Sequence, residues 1–455
     1  MARLMISVSG IRGIVGDGLS PEIVTQFAQA YGTYCEGKPV VIGWDARVSG
    51  EMVHRAFVAG LISVGCDVID LGIAATPTVQ MMTEKLDCAG GIIITASHNP
   101  IMWNGIKMLA PDGLFLDAEQ GAKILEIREN KAFAFKSWDK LGKVTKYENS
   151  AAEHIEQVLA LPYINPMQIR ARKFKVVADC INGAGSVILP KLLGELGCEC
   201  IILNGEPNGI FARTPEPVPE NLTVVCQSVK QHGADLALVV DPDSDRLALI
   251  SEKGEPLGEE YTIAVAGDYF LKHRQGKVVV NVSTSQALPD IAREYGCETE
   301  FTRVGEINVT KHMREVGAVF GGEGNGGVIL PELHLGRDAI VGAALVLQHL
   351  SSANEKLSEI KARLPQYEIV KMKIELSENT DAKALLQVLT ARYKNEQIDL
   401  TDGMKLIRNK SWVQVRASNT EPILRVMAEA QDRETALAMA EELRTVTEEL
   451  EKNNH

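Results

Sequence analysis

The 455-residue chain has no run of about 18 apolar residues, so the sequence predicts no membrane span. It has no excess of basic residues: 47 Lys and Arg face 60 Asp and Glu, a formal charge of -13. That balance argues against a basic surface for nucleic acid, and an anionic substrate has to be met by local Arg and Lys clusters. It has no CxxC pair. The eight cysteines are scattered, mostly in apolar strand-like contexts, which predicts buried free thiols in a reducing compartment. Cys198 and Cys200 alternate along one strand, so a zinc site is not expected there. Met1 to Gly10 lacks the basic start and apolar core of a secretory leader, and the expected location is cytoplasmic.

What is present is an ordinary globular balance, 45% hydrophobic and 24% charged, in a chain too long for one core. An internal repeat can be counted. Val40 to Gly43, Val176 to Asp179 and Val278 to Asn281 each read as a strand followed by a helix. Each helix leads to a Gly-Cys pair, at 65, 197 and 296, that opens a second strand. A third strand follows each time, at Gly91 to Ile94, Ala234 to Val240 and Gly317 to Phe320. Strands alternating with helices predict parallel or mixed sheets with ligands at the carboxyl ends. The chain after about Gln366 has no such repeat and reads as a smaller α+β unit. Ser351 to Pro365 is the expected linker, and Glu448 to His455 is expected to fray.

The loops after the third strands carry the chemistry. Thr95-Ala96-Ser97-His98-Asn99-Pro100 puts the Ser97 hydroxyl at the carboxyl end of a strand, where it can face a cleft or close a turn. Asp241, Asp243 and Asp245 alternate before Arg246, a pattern that suits a hard cation or a solvated acidic turn. An EF-hand does not fit, because Arg246 stands where that loop needs Gly and strands flank it. Gly321 to Gly327 is glycine-rich but lacks the Lys-Ser/Thr of a Walker site. Near the start, Ser9 to Gly13 reads as a glycine loop carrying Arg12, a fork-shaped phosphate donor.

Thr95 to Pro100, with Asn104-Gly105 and Lys107, resembles the phosphoserine loop of the α-D-phosphohexomutase family, and the other motifs follow in that family's order. The resemblance implies that Ser97 carries the phosphoryl group, with Arg12 beside it, Lys107 transferring a proton and His98 assisting. It implies magnesium held by Asp241, Asp243, Asp245 and the Ser97 phosphoryl oxygen, with Arg246 near the phosphate. Asp45 and Arg47 are expected to pair under the loop. Glu323 and Asn325 would grip the sugar, and Thr302 to Gly305 would help choose its orientation. Many members have Ser and His where this chain has Asn325 and Gly327, so an acid-base role for that His is not available here. Arg416, Ser418, Asn419, Thr420 and Arg425 resemble the family's phosphate-binding loop.

The expected fold class is therefore α/β: three related αβ domains with mixed sheets plus a smaller C-terminal α+β domain, around a central cleft. The expected domains are a phosphoserine-loop domain at 1–150, a metal-binding domain at 151–252, a sugar-binding domain at 253–365 and a phosphate-binding domain at 366–455. The implied reaction moves phosphate between the 6- and 1-positions of a hexose, glucosamine first and mannose or glucose as runner-up, with a hexose 1,6-bisphosphate as intermediate and activator. A metal-dependent sugar-phosphate phosphatase, or a binder without turnover, is the alternative from another class. The expected partner is a small-molecule sugar phosphate, with no nucleic acid and no membrane; the sequence does not give the oligomeric state.

Overall fold

The computed structural model describes residues 4–7, 10–377, 380–417 and 423–453, with side chains through 451. Its sheets show why the sequence repeats. In each of the first three units the first strand lies between the second and third, all parallel, and a fourth strand returns antiparallel beside the third. Val68–Ile73, Val40–Trp44, Gly90–Ile94 and Trp103–Leu109 make the first such set. Glu199–Leu203, Lys175–Asp179, Leu236–Val240 and Leu247–Ser251 make the second. Thr299–Thr302, Val278–Asn281, Phe320–Glu323 and Gly327–Leu330 make the third. The Gly of every Gly-Cys pair has positive φ, +90° at Gly65, +68° at Gly197 and +72° at Gly296. A left-handed residue ends a helix and turns the chain into the next strand, which is why Gly recurs there.

The chemistry-bearing loops are the connections between the third and fourth strands. All three leave the carboxyl end of a parallel strand, the edge where α/β sheets bind ligands. The last unit differs. Glu368–Glu375, Ile423–Ala430, Ser411–Ala417, Met404–Arg408 and Gln397–Asp399 form one antiparallel sheet, covered by helices Ala382–Arg392 and Arg433–Asn453.

Four expectations need correction. The amino-terminal glycine loop is not a loop from Gly10 onward: Gly10–Val15 is a strand paired with both Met5–Ser7 and Trp103–Leu109. The third strand of the third unit is Phe320–Glu323, not Gly317 to Phe320, so Glu323 sits on the strand itself. Gly317 instead ends the preceding helix, with φ +64°. The expected linker is mostly helical, because Ala339–Ala353 runs into it and Leu357–Arg363 adds another turn and more. The final helix continues through Asn453, tied by Glu451, which accepts from Ser377 N and Thr380 Oγ1. Among the described residues no helix is long and apolar enough to cross a membrane. The cysteines are free, and five are buried as expected, while Cys198, Cys200 and Cys226 are only half-buried.

Candidate active site

Ser97 has φ +49°, a strained left-handed conformation for a residue with a side chain. The support lies beneath it. Thr95 Oγ1 accepts from Ser97 N at 2.8 Å and donates to Asp45 Oδ2 at 2.5 Å. Arg47, fully buried, donates from Nε to Asp45 at 3.0 Å. Its Nη1 donates to Pro100 O and Trp103 O, both at 2.9 Å, and its Nη2 to Ser97 O at 2.6 Å and Asn99 O at 2.8 Å. Every N–H of the guanidinium is therefore used, and four of them hold carbonyls of the Ser97 loop and its continuation. The expected Asp45–Arg47 pair is a buried clasp rather than a surface ion pair.

The Ser97 hydroxyl faces the second unit. Its Oγ lies 3.4 Å from Asp241 Oδ2 and 3.3 Å from His98 Nδ1. Burial, then the nearby Arg246 and Arg12, push the His98 pKa down to about 2, so its imidazole is neutral. Arg12 lies one strand away and donates to Asn99 Oδ1 at 3.2 Å. Gly10 pairs with Lys107, and Arg12 with Gly105, so Arg12 and Lys107 project from the same sheet face. Glycine is required at 10, since a Cβ there would lie 1.9 Å from Ile106 O.

Asp241, Asp243 and Asp245 are buried, and each offers one oxygen within 4.8 Å of the others. Opposed oxygens on one hard cation stand about 4–5 Å apart, given metal–oxygen distances of about 2.1–2.6 Å. Among the described residues Asp243 Oδ1 and Asp245 Oδ1 are buried without a hydrogen-bond partner, which fits a ligand set for a cation. Burial, then Asp245 and Asp243, raise the Asp241 carboxyl well above its ordinary pKa. Burial acts the same way on Asp243, but Lys107 and Thr76 outweigh it and hold that carboxyl low. Lys107 Nζ donates to Asp243 Oδ2 at 2.7 Å, as does Thr76 Oγ1. Burial opposes the Lys107 ammonium too, yet Asp243 and Asp245 keep its pKa above the ordinary value. Arg246 donates from Nη1 to Glu216 at 3.3 Å, and its buried Nε, 3.9 Å from Asp245 Oδ1, has no hydrogen-bond partner among the described residues.

The third unit brings Glu323 to the same cleft. Its Oε1 accepts from Asn281 Nδ2 at 2.8 Å and from Gly305 N at 3.0 Å. Gly305 thus acts through its N–H, while the Thr302 hydroxyl turns to Arg303 O at 2.9 Å. A cavity of about 500 Å³ runs from His98 past Glu323 and Asn325 to Arg416 and Arg425. Arg416 and Arg425 are cross-strand partners, and Lys373 is the next partner of Arg425, so three cations stand in a row. Ser418, Asn419 and Thr420 lie outside the described residues. The motifs did not mark Arg337, Glu306 or Thr76. Arg337 ends the strand His334–Arg337 and reaches Asp245, Glu306 and Glu323. Its only sequence signal is a lone Arg before an apolar helix.

Comparison with known proteins agrees with this layout. Residues 3–135, 152–254 and 258–367 match α/β/α domains I, II and III of phosphoglucomutase/phosphomannomutase, and 372–446 match its C-terminal domain. A phosphoglucomutase/phosphomannomutase of Thermococcus kodakarensis is 40% identical over 94% of both chains. A probable phosphoglucosamine mutase of Methanopyrus kandleri is 36% identical over 95% of both. The crystal structure of a phosphoglucomutase/phosphomannomutase family protein from Burkholderia thailandensis has a TM-score of 0.85 over 98% of both chains; at 23% identity it speaks for the fold alone. With all four domains present in order, and relatives matched over nearly their whole length, the chain belongs to the phosphoglucomutase/phosphomannomutase family.

Proposed function

We propose that the chain is a phosphohexose mutase that moves phosphate between the 6- and 1-positions of a hexose through a phosphoserine at Ser97. One observation carries this reading: Ser97 Oγ is held in a strained loop 3.4 Å from Asp241, and the neighbouring His98 lines a cavity that Arg416 and Arg425 also line. A nucleophile and a separate anion grip suit a substrate bearing phosphate at either end.

Phosphorylated Ser97 gives its phosphoryl group to the free hydroxyl of the sugar monophosphate; the Oγ–P bond breaks as the sugar O–P bond forms, and the proton lost by the sugar hydroxyl is made good on Ser97 Oγ. The bisphosphate turns over in the cavity, and Ser97 Oγ takes the other phosphate, its proton being made good on the sugar oxygen left behind in the isomeric monophosphate. Arg12 and Arg246 offset the charge on the moving group, the buried Arg246 Nε making no hydrogen bond among the described residues. Lys107 is held protonated by Asp243 and Asp245, so it meets the moving phosphoryl group as a cation, and it is the candidate for proton transfer at Ser97. His98, neutral, can accept from the Ser97 hydroxyl. Asp241, Asp243 and Asp245 would hold Mg2+, which when bound neutralises phosphoryl charge. Glu323 and Asn325 bind ring hydroxyls, Thr302 and Gly305 shape the loop beside them, and Arg416, Ser418, Asn419, Thr420 and Arg425 hold the phosphate that is not transferred.

Glucosamine is the preferred hexose in this reading. Glu216 and Glu323 line the cavity, and carboxylates suit a protonated amine; Glu260 lines it too, but burial raises its carboxyl well above the ordinary range. The relatives carry both names, so mannose and glucose phosphates are the alternative. The deciding experiment compares turnover of glucosamine, glucose and mannose phosphates, with and without the matching 1,6-bisphosphate, in the natural chain and in Ser97→Ala. Isomerisation lost in the variant is the expected result. Phosphate release without isomerisation would make the protein a phosphatase, and binding without turnover a binder.

A further inference from the structure

We propose that Arg337 is a positioning residue of this site, a strut whose single guanidinium sets both the Asp245 end of the metal loop and the Glu323–Asn325 end of the sugar loop. Its Nη2 donates to Asp245 Oδ2 at 2.5 Å. Its Nη1 lies 3.0 Å from Glu323 Oε2 and 3.3 Å from Asn325 Oδ1. Its Nε donates to Glu306 Oε2 at 2.9 Å, and Glu306 is gripped in turn by Gln80 Nε2 and by Arg337 N, both at 3.3 Å. The side chain is buried, so these bonds are not shared with bulk water.

Three consequences follow from the fork. Asp245 turns Oδ2 to Arg337, and its Oδ1 accepts no hydrogen bond among the described residues, with Arg246 Nε 3.9 Å away, so it can face the Asp241–Asp243 cluster. Arginine is donor-only, so Asn325 has to face it with Oδ1, which leaves the Nδ2 donors to the cavity. Glu323 supplies acceptors at the same place, so one guanidinium decides which donors and acceptors the sugar meets. Room for the strut comes from Gly327: a Cβ there would lie 2.3 Å from Arg337 Cδ. A side chain at position 327 and Arg337 in this pose would compete for the same space.

The sugar arm of this proposal rests on the mutase reading; the metal arm does not. The test is a calorimetric titration of the full chain with Mn2+ alone, for the natural protein, Arg337→Met and Arg337→Lys, beside kcat and KM for glucosamine and glucose phosphates. If Arg337 acted only as a charge, removing it would tighten Mn2+ binding, because a cation next to Asp245 repels the ion. A strut predicts the opposite sign: about ten-fold or greater weakening in R337M, the scale typical of partners that orient metal ligands. Arg337→Lys keeps the charge but cannot reach all three carboxylates, and the expected weakening is intermediate. KM is expected to rise in R337M, and Glu323→Gln to cost less in that background than in the natural chain. Mn2+ affinity unchanged or tighter in R337K would overturn the proposal, even if R337M failed to fold. Weaker Mn2+ binding in a protein that turns over no sugar phosphate would uphold the strut and sink the mutase reading instead.

Discussion

Replacing Arg47 with Met is expected to do more damage than its distance from the substrate suggests. The guanidinium carries a buried ion pair to Asp45 and four bonds to carbonyls at Ser97, Asn99, Pro100 and Trp103. Breaking a buried pair from one side costs about 3–5 kcal/mol, because the other charge stays behind. For a domain of this size that lowers the melting temperature by roughly 6–20 °C. The functional loss is larger. Ser97 is held at φ +49° against a left-handed penalty of about 1–2 kcal/mol. Each charge-assisted bond to the loop contributes about 1.5–3 kcal/mol, so the clasp outweighs the strain only while it is intact. A relaxed loop moves Oγ away from Asp241, and a misplacement of about 1 Å costs about 100-fold in rate. Thermal unfolding, urea titration and kcat are the measurements. The double variant Asp45→Asn/Arg47→Met is expected to regain part of the stability and none of the activity, since it removes the stranded charge but not the need for the clasp. An R47M protein that melts with the natural chain and turns over at its rate would refute the reasoning.

Gly10→Ala is expected to destabilise by at least about 1–3 kcal/mol, as overpacking does, since its Cβ would meet Ile106 O at 1.9 Å and backbone has to shift. Activity should fall further than stability, because the shift carries Arg12 and Lys107 with it; melting curves and kcat read both. Asp241→Asn should raise the melting temperature in EDTA and lower it in excess Mg2+: three buried carboxylates repel without an ion and coordinate with one. Burial lowers the Lys405 pKa from 10.5 to about 8. Its folded value lies below the unfolded one, so the unfolded state binds more protons between about pH 8 and 10.5, and stability rises with pH there. The natural chain should gain roughly 3 kcal/mol on Lys405→Met across that window, and the gap should stay flat below pH 7; urea titrations at successive pH values would show a pH-independent gap if the idea is wrong.

Local signals in the sequence reached some parts of the site and not others. The three-unit architecture was legible because each unit repeats the same left-handed Gly after its first helix. Ser97 and the three aspartates stand in short contiguous motifs, which is why the sequence singles them out, although their partners Arg47, Thr76 and Lys107 lie far along the chain. Arg337 stands in no such motif, and its partners Glu306 and Asp245 are 31 and 92 residues away in the chain. Nothing near position 337 reports a bond made across two sheets. Glu306 is hidden for the same reason. The amino-terminal hairpin was misread because Gly10 and Gly13 look like loop residues; they are strand residues kept small where Ile106 and Leu19 approach. The helix Leu357–Arg363 was missed because its polar length, Leu357-Ser-Glu-Ile-Lys-Ala-Arg363, buries only Leu357 and Ile360.

The distribution of contacts across the units also decides where the cleft can open. Lys107 and Thr76 of the first unit hold Asp243 of the second, and Arg337 of the third holds Asp245. Separating any of these units would strand buried carboxylates. The second and third units go further and share one hydrophobic core, which runs from Ile155 through Leu238 and Phe270 to Tyr367. The last unit has its own core, from Val370 to Leu443. Polar bonds help join it to the rest: Lys405 Nζ to Val282 O, Ser283 Oγ to Gln414 Oε1, Gln286 N to Glu429 Oε1 and Arg303 Nε to Thr401 O. Each such bond is worth about 0.5–1.5 kcal/mol net, and water replaces it when it breaks. Lys405 carries a burial cost that opening would relieve. A sugar phosphate has to enter the cavity of about 500 Å³ from outside, and the boundary of the last unit carries no carboxylate of the metal loop, while the last unit keeps a core of its own.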